Sequence, residues 1–480
     1  MSLQLLLFLV LGNLFFLYFG AYFLLNLAFL GVFLVDFLPR RFQEPHLDTW
    51  PSVSVLVPAF NEARVIVHTV QTLLNLPYPR LQVVVVDDGS TDGTTERLLR
   101  AFDLEPAEPP EAGTLPTEPV RGTWRLRESD RLWLVAKENG GKADALNAAL
   151  NVARGDIVVT VDADTLLPPR SLFRLVAPFV RERVAAVGGL LTVANEARWQ
   201  GNRVVDAPLP RNPVVLFQLI EYLVSYTVGR TALSRWNALL ILSGAFSAFD
   251  RALLLKIGGF LSPRAHGRRT VCEDMEVVVR LHRYLREHRI RRPIRFLLYP
   301  VAWTEVPARW RDVLRQRNRW HRGLGESLWI HRDLLFEPRY GTLGLFATPY
   351  YLLFEFLAPV LKVAALAVVA ILMAYRLVHT PFALTLLALA LTLQGFTTAL
   401  LTVLVESRYR KASPDNLEAL RYRTLGDWLR LVVFSFFLEP VFGTFRLVGQ
   451  LWGLWDFLRG QTTWYKYARQ GVKTEGVTSP

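Results

Sequence analysis

The sequence predicts an α/β catalytic-type domain on a mixed, mostly parallel, Rossmann-like sheet, set between N- and C-terminal transmembrane and interfacial helices. Three observations carry this. Short apolar runs alternate with helical stretches from Ser52 onward. Leu3 to Val35 contains no Lys, Arg, Asp or Glu. Hydrophobic residues make up 51% of the 480 and crowd into residues 3–38 and the stretch from 344 onward.

The first apolar run exceeds the ~20 residues that span a bilayer, and it lacks the basic flank and short core of a cleaved signal. Residues 1–38 are therefore expected to form one long span. Arg40-Arg41 follows and assigns the next domain to the cytosol by the positive-inside rule. Two more spans are expected at about Leu343–Leu377, with Pro349 and Pro359 inside it, and Phe382–Val405. They turn at His379-Thr380-Pro381 and make a hairpin over 343–406. Arg408, Arg410, Lys411, Arg421 and Arg423 then mark a return to the cytosolic side. Within 412–457, residues 428–457 are apolar and aromatic, but Glu439, Pro440, Arg446 and Asp456 interrupt them. A charge at mid-bilayer costs about 2.5–3.5 kcal/mol on insertion scales, so interfacial or re-entrant helices are expected there. Residues 458–480 read as a C-terminal loop.

The formal net charge is +13. Nucleic acid, anionic lipid headgroups and a phosphate-bearing substrate could each explain it. The hydrophobic ends favour lipid and phosphate, and the absence of zinc-finger or RNA-binding signatures puts nucleic acid last. The single cysteine, Cys272, excludes an intrachain disulfide and a Cys-rich metal site.

Within 50–335, Val53–Val57 reads as a buried strand ending at Pro58, and Glu62–Leu74 as a helix. Leu81–Val86, Leu132–Val135 and Ile157–Val161 read as further strands. Asp144–Ala153 reads as a helix closed by Gly155. Residues 103–130, rich in Pro, Glu and Gly, are expected to be a surface excursion without a catalytic role. In open α/β sheets ligands bind beyond the carboxyl ends of the strands, so acids placed there are candidates for ligand contact.

Five segments carry chemistry. Asp162-Ala163-Asp164 follows the Ile157–Val161 strand. Two carboxylates so spaced can hold a hard cation whose other ligands are waters and phosphate oxygens. A diphosphate leaving group needs that neutralisation as its bond breaks. Asp87-Asp88-Gly89-Ser90 ends the second strand, where the acids can accept hydrogen bonds from a base or ribose. Asn139-Gly140-Gly141-Lys142 permits close backbone approach and offers an ammonium to a phosphate. Glu273-Asp274 supplies a carboxylate base for an attacking hydroxyl, although acids also suit the N-terminus of the helix expected over Met275–Arg286. Gln316-Arg317-Asn318-Arg319-Trp320-His321-Arg322-Gly323 offers Arg clamps for a diphosphate and a Trp face for a sugar. It also suits an amphipathic helix lying on headgroups.

Taken in order, these motifs resemble those of the family 2 membrane glycosyltransferases, which include the cellulose, chitin, hyaluronan and poly-N-acetylglucosamine synthases. Val57-Pro58-Ala59-Phe60-Asn61-Glu62 is similar to the family's first nucleotide-contacting strand and loop. Ser243-Gly244-Ala245-Phe246 and Gly258-Gly259-Phe260 resemble its acceptor-side segment, in a form unlike the Gly-Pro-Leu of chitin and hyaluronan synthases. Val271-Cys272 precedes the acid pair where Thr is commoner. Thr463-Trp464-Tyr465-Lys466, with Arg469 and Gly471, resembles a loop that closes over the donor.

The resemblance implies a GT-A fold, an inverting mechanism, a UDP-sugar donor and Mg2+ or Mn2+. It implies that Pro58, Glu62, Asp87, Asp88, Lys142, Asp162, Gln316, Arg319, Trp464 and Lys466 meet the nucleotide sugar, with Asp88 on the uridine. Asp162 and Asp164 would bind the metal. Asp274, with Glu273 beside it, would be the general base. Ser243, Gly244 and Trp320 would line the acceptor site, and Leu216–Tyr226 would form an interface helix. The expected activity is processive synthesis of a β-linked polysaccharide, with single transfer onto a membrane lipid as the alternative. The expected setting is an integral membrane protein of a bacterial inner membrane, its catalytic domain in the cytosol. The intact acids argue against a non-catalytic scaffold, and the lack of an internal repeat argues against a transporter.

Overall fold

A computed structural model of the chain describes residues 3–38, 45–109, 115–412, 424–461 and 473–474. Arg40-Arg41, Arg421, Arg423, Trp464 and Lys466 lie outside the described residues.

Twelve strands are present among the described residues. They are β1 Val53–Ala59, β2 Leu81–Asp87, β3 Leu104–Pro106, β4 Val120–Leu126, β5 Leu132–Lys137, β6 Ile157–Val161, β7 Ala186–Val193, β8 Arg198–Gln200, β9 Arg203–Asp206, β10 Phe246–Asp250, β11 Ile294–Thr304 and β12 Lys473–Thr474. Nine form one sheet in the order β11-β7-β10-β6-β1-β2-β5-β4-β3. The central strands β6, β1, β2 and β5 run parallel, with Val53 opposite Leu81 and Ile157. β10 runs antiparallel between β6 and β7. β2 is buried at every position, as a strand covered on both faces must be.

Residues 103–130 differ from the expectation. Val120–Leu126 is a strand that pairs antiparallel with β5, and β3 pairs with it in turn. Its sequence, Val-Arg-Gly-Thr-Trp-Arg-Leu, carries no fully buried position, so no core pattern announces it. The helix expected from Glu62 begins at Ile66, and the helix carrying Glu273-Asp274 runs Glu273–Glu287.

The N-terminal helix runs Leu3–Phe37. Three helical stretches, Val10–Phe37, Thr380–Ser407 and Leu425–Leu458, are long and apolar enough to cross a membrane. Leu343–Phe356 and Ala358–Ala374 qualify together but bend by 51°, with Pro359 at the start of the second piece. The stretch expected to be interfacial or re-entrant is one helical run with a π-helical turn at Leu438–Gly443. Its second half, Thr444–Leu458, lies along the Trp310–Ile330 helix at backbone distance. A Cβ on Gly449 would sit 2.8 Å from Arg317 Cβ, and one on Gly453 would sit 3.0 Å from His321 Cβ.

Candidate active site

The turn after β6 brings Asp162 to the carboxyl edge of the sheet. There Lys142 Nζ lies 2.8 Å from Asp162 Oδ1 and 3.0 Å from Glu273 Oε1. Lys142 opens the Lys142–Val152 helix, so the Asn139–Gly141 turn sets its position. Gly244 donates its backbone N–H to Asp274 Oδ2 at 3.1 Å. A Cβ on Gly244 would sit 3.0 Å from Lys142 Nζ and 3.3 Å from Asp274 Cβ, so the segment before β10 closes tightly on both groups. Four separate stretches of chain thus meet around one ammonium.

Burial pushes the Asp274 carboxyl up to about 6, and the neighbouring Glu273 pushes the same way. Lys142, the Gly244 amide and Arg319 oppose the rise. Burial disfavours the Lys142 charge, but Asp162 and Glu273 outweigh it and hold the ammonium protonated. The result is a carboxylate near neutrality beside a fixed cation, an arrangement suited to taking a proton at about pH 7. Asp164 is buried two residues beyond Asp162, 5% exposed.

Asp88 is committed to the protein itself. Its oxygens accept from Lys137 Nζ at 2.7 Å, Gly140 N at 3.0 Å, Gly141 N at 2.8 Å and Asn139 Nδ2 at 3.2 Å. Lys137 Nζ also meets Asp144 Oδ1 at 2.7 Å, and the side chains of all three charged groups are 4% exposed or less. Asp88 therefore clamps the turn that presents Lys142. A Cβ on Gly140 would lie 2.6 Å from Asp144 Cγ, and Gly141 takes φ +85°, which makes glycine necessary at both. Asp87 accepts from Ser90 N at 2.9 Å and from the Thr95 hydroxyl. Asn61 N donates to Ser90 Oγ at 2.8 Å and Glu62 N to Thr94 Oγ1 at 3.1 Å, which ties the loop after Pro58 to the loop after β2.

The Trp310–Ile330 helix supplies Gln316, Arg319 and Trp320. Gln316 is buried, and its Oε1 has no hydrogen-bond partner among the described residues. The Arg317 guanidinium stacks 4.3 Å from the Trp320 ring centre. Arg319 feeds its charge to Asp274, and Cys272 Sγ lies 4.0 Å from Arg319 O. The small thiol at 272 has a steric reason. A Cβ on Gly323 of the same helix would lie 2.6 Å from Cys272 Cβ, so the acid pair and the Arg-Trp segment press together there. Ser243 is the residue before Gly244 and joins the same edge.

Lys137 and Asp144, which hold the turn, were not expected. A lone lysine ending an apolar strand was the available signal. The part expected of Trp464 and Lys466 falls outside the described residues. Lys473 and Thr474 pair through their backbone with Arg198 and Trp199 of β8.

Residues 54–110 match the family profile described as glycosyl transferase family 2, and residues 122–323 match glycosyltransferase like family 2. A probable glycosyltransferase YdaM of Bacillus subtilis is 27% identical over 282 residues, 57% of this chain and 55% of that protein. A beta-monoglucosyldiacylglycerol synthase of Nostoc sp. is 28% identical over 311 residues, 63% of this chain and 55% of its own. A poly-beta-1,6-N-acetyl-D-glucosamine synthase of Staphylococcus aureus is 24% identical over 285 residues, 59% of this chain and 57% of its own. The chain thus spans about half the length of the curated relatives it matches. A solved mannosyltransferase of Pyrobaculum calidifontis, in complex with GDP-Man and Mn2+, aligns over 94% of this chain and 99% of its own with a TM-score of 0.55 and 22% identity. That likeness shows the fold, and the fold is GT-A. With the two profiles covering more than half of its length, the chain belongs to glycosyltransferase family 2.

Proposed function

We propose that this protein is an inverting, metal-dependent hexosyltransferase that moves a sugar from a UDP-sugar to an acceptor at a membrane, with its catalytic domain in the cytosol of a bacterial cell. One observation carries the reading: Asp162, Lys142, Glu273, Gly244 and Asp274 meet at the carboxyl edge of one sheet. Asp274 takes the proton from the acceptor hydroxyl, with its Oδ2 aimed by the Gly244 amide. Lys142 and Arg319 face the diphosphate. Pro58, Glu62, Asp87 and Asp88 shape the nucleotide side, Asp88 chiefly through the turn it clamps. Ser243, Gly244 and Trp320 line the acceptor side.

The residues present fit a divalent ion. Among the described residues no group of three or more His, Cys, Asp or Glu is arranged to hold one. Two carboxylates, Asp162 and Asp164, suit an ion completed by substrate phosphates and water. The Lys142 ammonium, 2.8 Å from Asp162, supports the reading that this carboxylate meets a cation. When bound, Mg2+ or Mn2+ would neutralise the departing diphosphate.

Both acceptors expected from the sequence, a growing β-polysaccharide and a membrane lipid, have counterparts among the named relatives. The test is a donor screen on the purified protein in membranes. It measures nucleotide diphosphate release for each common nucleotide sugar, with and without a chelator, and the partition of label between polymer and organic-extractable lipid. Release with one UDP-sugar that the chelator abolishes and Mn2+ restores is expected. Chelator-insensitive release, or none with any donor, would overturn the reading.

A further inference from the structure

A row of charges runs from the Arg-Trp segment into the membrane helices. Arg317, stacked under Trp320, donates to Glu221 Oε2 at 2.5 Å. Arg446 donates to Glu221 Oε1 at 3.0 Å and to Glu439 Oε1 at 2.7 Å. Lys362 lies within electrostatic reach of Glu439 and of Glu355, which accepts from Tyr350 Oη at 2.8 Å. These groups come from five separate helical stretches.

The acids share a local geometry. Glu439 lies in the π-helical turn Leu438–Gly443 and Glu355 in the π-helical turn Tyr351–Phe356. Glu221 directly precedes the π-helical turn Tyr222–Tyr226. Single π turns loosen the helix and recur where a helix serves a ligand.

The outer end of the row is open. The Glu439 side chain is 25% exposed and that of Arg446 19%, on a helical run whose neighbours Phe437 and Val448 are exposed and apolar. An unpaired charge facing acyl chains costs about 2.5–3.5 kcal/mol on insertion scales. Glu439 and Arg446 pair at 2.7 Å, and their exposed faces can still hydrogen-bond a polar group. The row contains three cations and three carboxylates and therefore carries no net charge. Such a surface favours hydroxyls, which donate to carboxylates and accept from guanidinium. It holds no surplus cation for a phosphate.

We propose that this seam seats the neutral, hydroxylated headgroup of a membrane lipid, entering sideways beside Lys362 and Glu439, and leads it along Arg446 and Arg317 toward Trp320 and Asp274. The assignment rests on the transferase reading and names the lipid as acceptor.

The full chain in phosphatidylcholine nanodiscs tests it with two probes, a photoactivatable diacylglycerol and a photoactivatable phosphatidic acid. The neutral probe should crosslink to Ala358–Ala374 or Thr444–Leu458 and the anionic one should not. Glu355→Gln with Lys362→Met removes one charge of each sign and should raise the KM for lipid at least about tenfold, with the KM for donor as the control. An equal rise in both marks general damage, and the wild-type crosslink map then decides. Crosslinks elsewhere, preference for the anionic probe, or an unchanged lipid KM would overturn the seam. Asp274→Asn separates the two claims. It should lose transfer yet keep the crosslink, whereas failure of the transferase reading leaves every variant without nucleotide turnover.

Discussion

The acid limb of the pH–rate profile offers a direct reading of the Asp274 environment. In its proposed role Asp274 works as a base only when ionised. Its carboxyl is pushed up to about 6, first by burial and then by Glu273. The rate should therefore fall as pH drops through about 6, and at about pH 5 only roughly a tenth of the carboxyl is ionised, a tenfold loss. The neighbours fix the direction of two further shifts. Glu273→Gln removes a like charge and should move the limb to lower pH. Lys142→Met removes the opposing cation and should move the limb to higher pH while weakening donor binding. Asp274→Asn should cut kcat by about 10²–10⁴ and leave donor affinity in place. The assay is initial-rate nucleotide release under saturating donor and acceptor, followed from about pH 4.5 to 8.5. A flat profile, or limbs that move the opposite way in the two variants, would refute this account of Asp274.

Lys137→Met strands two sealed carboxylates and should cost about 3–5 kcal/mol, read as a lowered thermal midpoint in detergent; a midpoint at the parent's value would leave the clamp without energetic weight. Gly323→Ala drives a methyl into Cys272 and should destabilise by about 1–3 kcal/mol, seen in the same melt. Gly244→Ala crowds Lys142 and Asp274, and should lower turnover in the nucleotide-release assay with little change in midpoint.

The part of the site built on buried strands was legible because apolar runs mark where strands end. β6 spans Ile157–Val161, the bounds its pattern implies, so Asp162 could be placed at the sheet's rim from sequence. What escaped depends on contacts between distant positions. Lys137 looks like any solvated lysine until Asp88, 49 residues away, closes over it. The same closure turns Asp88 from an acid free to meet a base into a clamp on a turn. β4 was missed because a half-exposed strand next to the sheet's edge is specified by its partners more than by its own residues. The antiparallel insertion of β10 between β6 and β7 is a topological fact that no local pattern encodes. The acid pair was ambiguous in sequence between a helix cap and a base. Glu273 and Asp274 do occupy the first turn of their helix, and they also meet Lys142 and Gly244, the contacts on which the proposed base role rests.

At Gly449 and Gly453 there is no room for a Cβ between the final long helix and the one that carries Trp320. Backbones pressed so closely cannot slide independently. When bilayer thickness changes the tilt of Thr444–Leu458, Arg319 and Trp320 must tilt with it. In the proposed function, the lipid environment would thereby act on the angle at which the acceptor side meets Asp274.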